Sequence, residues 1–319
     1  MIACTRPRHV FIISLPRSGS TMLQRLLGSH VHVTSIPEPG ILLPLVYMLR
    51  SKGVRAEYGH ELINHGITNL LSSMEGGTAE FHSAIRNFVG SLYGKVATRE
   101  TRYVLDKTPR YYLIAEELGK IFPEAKLIFL FRNPLDVLTS YISAMWGNRL
   151  QTCLRATPDL KIGPALVAQS CDALRERALI VRYEELVADP RKHLRLMMDY
   201  LDLDSDNSTV DTLLREFSTQ QVPFSLGDAA GCRTYKDIDS QDGKWKRALT
   251  TDVRKRLARA YVQGIDGRFL QCGGFSRATL LEEIAAVKPG HVGFRDAYCL
   301  AKSVLIQQFK RTIGWPHLS

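Results

Sequence analysis

His9-Val10-Phe11-Ile12-Ile13-Ser14-Leu15-Pro16-Arg17-Ser18-Gly19-Ser20-Thr21-Met22-Leu23 reads as a strand, a tight loop and the start of a helix. An apolar, β-branched run leads in, and Leu23, Leu26 and Leu27 recur behind it at helical spacing. The first N–H groups of a helix have no partner inside the helix, and the helix dipole adds partial positive charge there, so a loop ending at that point attracts an anion. Gly19 lets the backbone approach the anion closely, while Ser18, Ser20 and Thr21 add hydroxyl donors. The loop departs from the ATP-binding pattern Gly-x-x-x-x-Gly-Lys-Ser/Thr. With Gly19 and Thr21 in register, Ser14 stands at the first Gly and Ser20 at the Lys, and the positive charge has moved to Arg17.

Outward from this loop the alternation continues. Val10–Leu15, His32–Ile36, Tyr103–Asp106, Lys126–Phe131 and Leu179–Tyr183 are short, apolar and rich in β-branched or aromatic residues, and are predicted strands. Helical spacing follows most of them, over Thr21–Ser29, Tyr111–Ile121, Pro134–Trp146 and Pro190–Leu201, with Pro134 and Pro190 where a first-turn proline is tolerated. Strands alternating with helices predict an α/β fold, a central parallel sheet covered on both faces, with residues 1–319 as a single domain. Residues 40–98 break the alternation and read as helices punctuated by Gly59, Gly66, Gly76 and Gly77: a lid lining an acceptor site, or a plain helical layer on the sheet. Thr219–Gly243 is polar and Gly-rich, the profile of a functional or disordered loop. The tail over 289–319 carries a basic amphipathic stretch at 301–311, read as packing on the body.

The chain has 319 residues, 45% of them hydrophobic, enough for a sizeable core, and no apolar run reaches transmembrane length. Its start leads straight into the first strand without a separate signal peptide, so the expected location is cytoplasmic. Cys4, Cys153, Cys171, Cys232, Cys272 and Cys299 are scattered, which points to neither a zinc site nor a disulfide framework. The formal net charge is +10, but the Lys and Arg residues are spread along the chain and the aromatics do not interleave with them. A nucleic-acid partner is therefore not expected, and an anionic small ligand explains the charge more economically.

A second strand runs into a helix at Phe129-Leu130-Phe131-Arg132-Asn133-Pro134-Leu135-Asp136-Val137-Leu138-Thr139-Ser140-Tyr141. Arg132 ends the strand, and Ser140 lies two helical turns on, near the same face. An Arg fork and a hydroxyl suit a terminal phosphate. The two motifs, in this order, resemble the sulfotransferases that use 3′-phosphoadenosine 5′-phosphosulfate (PAPS). The resemblance implies a P-loop nucleotide-hydrolase-like fold, a first loop that grips the 5′-phosphosulfate, and an Arg…Ser pair that grips the 3′-phosphate. Val181-Arg182-Tyr183-Glu184-Glu185-Leu186 and the following Asp189-Pro190 are similar to a further family segment, whose Tyr lies by the adenine. Ser240-Gln241-Asp242-Gly243-Lys244-Trp245-Lys246-Arg247 looks like the bacterial form of the loop that closes over the cofactor. Arg17 and Met22 replace the Lys and Trp of the cytosolic phenol and steroid enzymes, and Pro109 stands where those enzymes carry a basic His. Arg in the loop is similar to the tyrosylprotein-type and many bacterial members.

The resemblance implies a division of labour. Arg17, Ser18, Gly19, Ser20, Thr21 and Met22 hold the 5′ end of PAPS. Arg132 and Ser140 hold the 3′-phosphate, and Tyr183, Ser240, Lys244, Trp245 and Lys246 complete the cofactor site. Catalysis falls to Arg17 at the leaving oxygen, Lys107 at the sulfonyl oxygens and Glu38 as general base, with His60 or His82 in reserve and His65 in the same helical region. Glu38 is also placed to cap the following helix, Lys107 to pair with an acid, Tyr183 to sit in the sheet core, and Trp245 to pack. No metal is required, since a sulfuryl group carries less charge than a γ-phosphoryl. The expected activity is sulfuryl transfer to a hydroxyl or amine of a small-molecule acceptor, such as a natural product, lipid or carbohydrate, without stable membrane insertion. The competing readings are a degenerate P-loop kinase or NTPase and a non-catalytic anion- or nucleic-acid-binding protein.

Overall fold

Five strands carry the architecture in the computed structural model, which describes residues 7–54, 56–144, 158–219, 243–288, 290–298 and 301. They are β1 (Arg8–Ser14), β2 (Val33–Pro37), β3 (Tyr103–Lys107), β4 (Lys126–Phe131) and β5 (Ala178–Arg182). They lie side by side in the order β2-β3-β1-β4-β5, and every pairing is parallel. Parallel neighbours need crossovers, which helices supply. The first of these are α1 (Ser20–Gly28), α2 (Leu42–Tyr47), α3 (His60–Ser73), α4 (Gly77–Tyr93), α5 (Ala115–Ile121) and α6 (Pro134–Ala144).

Side chains along a strand point alternately to the two faces, and the core divides accordingly. Val10 and Ile12 of β1 join Tyr103, Leu105, Ile128, Leu130 and Val181 against Leu23, Leu26 and Leu27 of α1 and the helices Pro190–Tyr200 and Asn207–Thr219. Phe11 and Ile13 join Val104, Leu127, Phe129 and Phe131 against α4, α5, α6 and the helix Gly163–Ala173. Each fully buried Leu, Ile or Phe of these layers contributes about 1.5–3 kcal/mol. The expected three-layer α/β/α arrangement follows. The same alternation sends Lys107 of β3 to the α1 side and Asp106 to the α4 side.

The sheet order places the site. β2 and β3 lie on one flank of β1, β4 and β5 on the other, so the chain turns away in both directions between β1 and β4. In open parallel sheets a ligand crevice forms at the carboxyl ends of the strands at such a point. The Arg17 loop follows β1 there, and Arg132 follows β4.

Local differences from the predicted elements have physical causes. The helix expected over Tyr111–Ile121 is split: Tyr111–Leu113 is a 3₁₀ turn, and the α-helix begins at Ala115 beyond Ile114 at φ −132°. Tyr183 does not end β5 but starts the helix Tyr183–Ala188. In 40–98, α4 inserts Ile85, Val89 and Tyr93 into the core, so it is part of the helical layer, with α3 packed on it. Ser240 and the loop over 220–242, and residues 302–311 of the basic stretch, lie outside the described residues. Among the described residues no helix is long and apolar enough to cross a membrane.

Candidate active site

Arg17 and Gly19 give the first loop its shape. Both have left-handed backbone, φ 72° at Arg17 and φ 90° at Gly19, a conformation that costs a non-glycine residue about 1–2 kcal/mol. Gly19 is the N-cap of α1, with no side-chain cap bond and no acid in the first turn. The positive pole of α1 is thus left to whatever enters the loop. Gly19 is also a steric requirement, because a Cβ there would come within 2.5 Å of the Tyr183 ring.

The two anion motifs meet directly. Arg17 Nε donates to Ser140 Oγ of α6 at 3.0 Å, and Arg132 Nη1 donates to the Arg17 carbonyl at 3.2 Å. The Arg132 guanidinium lies over the Tyr183 ring, 4.2 Å from its centroid, and Tyr183 in turn lies against Gly19. Arg132 is held further by its neighbour. Asn133 caps α6 by accepting from Leu135 N at 2.9 Å, and Asn133 N donates to Glu184 Oε1 at 2.7 Å. Arg132 Nε is buried and has no hydrogen-bond partner among the described residues. A buried donor left unmade costs about 1–3 kcal/mol, so this atom calls for an acceptor.

Lys107 and Glu38 form the other half. Lys107 is 1% exposed at the end of β3, and its Nζ donates to Glu38 Oε1 and to Thr21 Oγ1, the latter at 3.2 Å. Pro37 pairs with Lys107 across the sheet, which delivers Glu38 to the ammonium. Glu38 has φ 42°, unusual for a non-glycine residue and disfavoured before a proline, here Pro39. Thr21 belongs to the first turn of α1, so the Lys107–Glu38 pair abuts the loop that carries Arg17.

Behind β3 lies a polar cluster that sequence reasoning missed. Asp106 is fully buried and accepts from Tyr93 and Tyr111 hydroxyls, both at 2.7 Å, and from Thr108 Oγ1 at 3.2 Å. Burial pushes its carboxyl up to about 6 against the pull of those three donors. Burial and the adjacent carboxylate raise both tyrosine phenols as well. The run Asp106-Lys107-Thr108 was the available signal: consecutive polar residues at a strand end point to alternate faces, so both faces have polar work.

The remaining predicted residues fall elsewhere. Ser18 is buried in the loop and Ser20 in the first turn of α1, and Met22 packs in the same core as Tyr183. Trp245 is 1% exposed, its amide bonded to Asp136 Oδ1 at 3.1 Å, so its ring fills the core, the packing alternative. Exposed Lys244 precedes it, beside the first turn of α6, while Lys246 reaches Glu283 at 3.2 Å on the outer surface. The histidines of the helical region lie as follows. His60 Nε2 meets the Arg50 carbonyl at 2.8 Å, His65 is exposed, and His82 is held below its ordinary pKa by burial and then by Lys120 and Arg86.

The sulfotransferase family model matches residues 7–207, well over half of the chain and every one of these elements up to Tyr183 and beyond. The chain belongs to the sulfotransferase family. It is 31% identical over 222 residues to the nodulation protein NoeE of Sinorhizobium fredii, covering 62% of this chain and 51% of that protein. It is 24% identical over 257 residues to a protein-tyrosine sulfotransferase of Drosophila melanogaster, covering 78% of this chain and 49% of that one. The chain thus spans about half the length of these curated relatives. Among solved structures it resembles the sulfotransferase domain of the Synechococcus PCC 7002 olefin synthase, at TM-score 0.51 and 26% identity over 84% of this chain and 94% of that one. The sulfotransferase domain of the curacin biosynthetic pathway shares the fold at TM-score 0.52 and 21% identity, over 84% and 96% of the two chains.

Proposed function

We propose that the chain transfers a sulfuryl group from PAPS to a hydroxyl or amine of a small-molecule acceptor. The observation that carries this reading is the contact of the two anion cradles, Arg17 to Ser140 at 3.0 Å and Arg132 to the Arg17 carbonyl at 3.2 Å. One nucleotide with anions at both its 5′ and 3′ ends fits such a double cradle, and a plain nucleoside triphosphate leaves the second half without a purpose. The buried, unmatched Nε of Arg132 is the donor that a 3′-phosphate oxygen satisfies.

Bound PAPS supplies a sulfuryl group attached to a good leaving group. The chain's own residues do the rest. The first turn of α1, with Arg17, Ser20 and Thr21, holds the 5′ end and places positive charge where the leaving oxygen becomes negative. Arg132, stacked on Tyr183, fixes the 3′ end and so sets the approach of the sulfur to the acceptor. Lys107 presents its ammonium between Thr21 and Glu38, at the join of the two halves. Glu38 takes the proton of the acceptor hydroxyl or amine as that atom attacks. Single-domain organisation, with the helices of 40–98 lining the acceptor side, belongs to the same proposal. So does a role for Lys244 in closing the cofactor site.

The test is transfer of label from ³⁵S-PAPS to a panel of phenols, alcohols, sugars and amines with a chelator present throughout. Labelled product supports the reading. Label confined to PAPS across the panel, together with Mg²⁺-dependent turnover of ATP, overturns it in favour of phosphoryl transfer.

A further inference from the structure

Glu38 occupies a backbone conformation that its own sequence resists. Its φ is 42°, it lies between Pro37 and Pro39, and Gly40 follows at φ 62°. A left-handed residue before proline persists only where neighbours over-determine it. On the near side the register of β2 on β3 fixes Pro37, and Gln24 Nε2 of α1 donates to the Ile36 carbonyl at 2.9 Å. On the far side Gly40 N donates to Thr108 Oγ1 at 3.1 Å.

A threonine hydroxyl has one hydrogen. At Thr108 it points to Asp106 Oδ1, 3.2 Å away, which turns the oxygen's lone pairs toward the Gly40 amide. Asp106 is locked in turn by the hydroxyls of Tyr93 and Tyr111, each at 2.7 Å on Oδ2. The chain of bonds therefore runs from α4 and the 3₁₀ turn Tyr111–Leu113 through Asp106 and Thr108 to the loop that carries Glu38. Its members are buried or nearly so, with Asp106 at 0% and Thr108 at 8% exposure.

We propose that Thr108, oriented by Asp106, is the positioning residue for Glu38: it clamps the Gly40 amide and so aims the carboxylate at the acceptor. The proposal rests on the reading of Glu38 as the base, and the two can fail separately. Thr108 touches neither acceptor nor cofactor in this account. Its hydroxyl acts only through the loop, and its removal leaves the Arg17 and Arg132 cradles as they are.

The experiment compares wild type, Thr108→Val, Thr108→Ser, Glu38→Gln and the double variant Thr108→Val/Glu38→Gln. Hydrogen exchange reports whether the Gly40 amide is held. Release of ³⁵S-sulfate from ³⁵S-PAPS, with water as acceptor, reports turnover, and calorimetry with adenosine 3′,5′-bisphosphate reports the cofactor site. Thr108→Val is expected to lose protection at Gly40 and to lower turnover on the order of 10²-fold, as misplacement of a reacting group by about 1 Å does, with bisphosphate affinity kept within about twofold. Thr108→Ser is expected to restore both protection and rate. In the Glu38→Gln background, Thr108→Val should cost less than about twofold, because residues acting as a unit are non-additive. A protected Gly40 amide in Thr108→Val, or an equal rate loss with and without Glu38, overturns the proposal. If Glu38→Gln itself turns over normally, the base assignment fails instead, whatever the exchange data show. Should Thr108→Val not fold, Thr108→Ala gives the same contrast with a smaller side chain.

Discussion

Arg132 is fixed by a ring beneath it, a carbonyl beside it and a capped helix behind it, whereas Glu38 is fixed by one buried ammonium and a strained turn. That contrast separates what their loss does. Glu38→Gln keeps an oxygen for Lys107 but removes the proton acceptor. Turnover should fall by about 10²–10⁴-fold with adenosine 3′,5′-bisphosphate binding retained, measured by label transfer and calorimetry on the same preparation. A variant with full turnover would leave Glu38 as a structural partner of Lys107. Arg17 and Arg132 stood out in the chain because each follows the end of an apolar strand, whereas Ser140, Lys107 and Glu38 were marked by the family resemblance, and the roles of all five remain proposals. What the chain could not show is that Ser140 answers Arg17 directly, since that contact spans 123 positions and depends on how α6 lies on the sheet.

At the scale of elements, β1 with α1 is the piece that the sequence specified most fully. An apolar run, a glycine and a leucine period agree on strand, loop and helix, and β4 was read with its observed bounds for the same reason. Gly19 carries a double constraint, φ 90° and the Tyr183 ring 2.5 Å from any added Cβ. Gly19→Ala should therefore destabilise the fold by about 1–3 kcal/mol and push Tyr183 out from under Arg132. Urea unfolding and bisphosphate binding should both weaken, and a variant unchanged in both would mean that the loop reshapes freely. β3 was harder to read. Asp106, Lys107 and Thr108 looked like one polar strand end, yet alternation splits them between two faces, so that Lys107 serves the site and Asp106 serves the turn behind it. The far ends of such contacts, Tyr93 and Tyr111, look like ordinary aromatics at helical spacing. Trp245 was open to two readings, cofactor wall or packing residue, and it lies 1% exposed with its amide on Asp136 of α6.

At the scale of the whole molecule, two titratable groups on neighbouring central strands, the half-buried His9 and the fully buried Asp106, oppose each other. His9 of β1 packs among Phe11, Tyr93 and Phe122, and burial lowers its pKa from 6.5 to about 4. The unfolded chain thus binds the extra proton at His9, and acidification from pH 6.5 toward 4 destabilises the fold. Asp106 is raised from 3.8 to about 6, so the folded chain binds the extra proton, and acidification from pH 6 toward 3.8 stabilises it. Between those limits the two effects offset. His9→Phe should unmask stability that rises, relative to wild type, as pH falls through this window, and Asp106→Asn should unmask stability that falls. Thermal midpoints taken in steps across the window give the two slopes, and parallel slopes in all three proteins would contradict the assignment.

The measurement that tests the central claim most directly is calorimetric binding of adenosine 3′,5′-bisphosphate and of adenosine 5′-monophosphate to wild type and to Arg132→Ala. A charge-assisted bond to the 3′-phosphate is worth about 1.5–3 kcal/mol, so wild type should prefer the bisphosphate by about tenfold to a hundredfold. In Arg132→Ala that preference should collapse, with affinity for the monophosphate little changed. Equal affinity of wild type for the two nucleotides, or a preference that survives the loss of Arg132, would contradict the double cradle and the donor assigned to it.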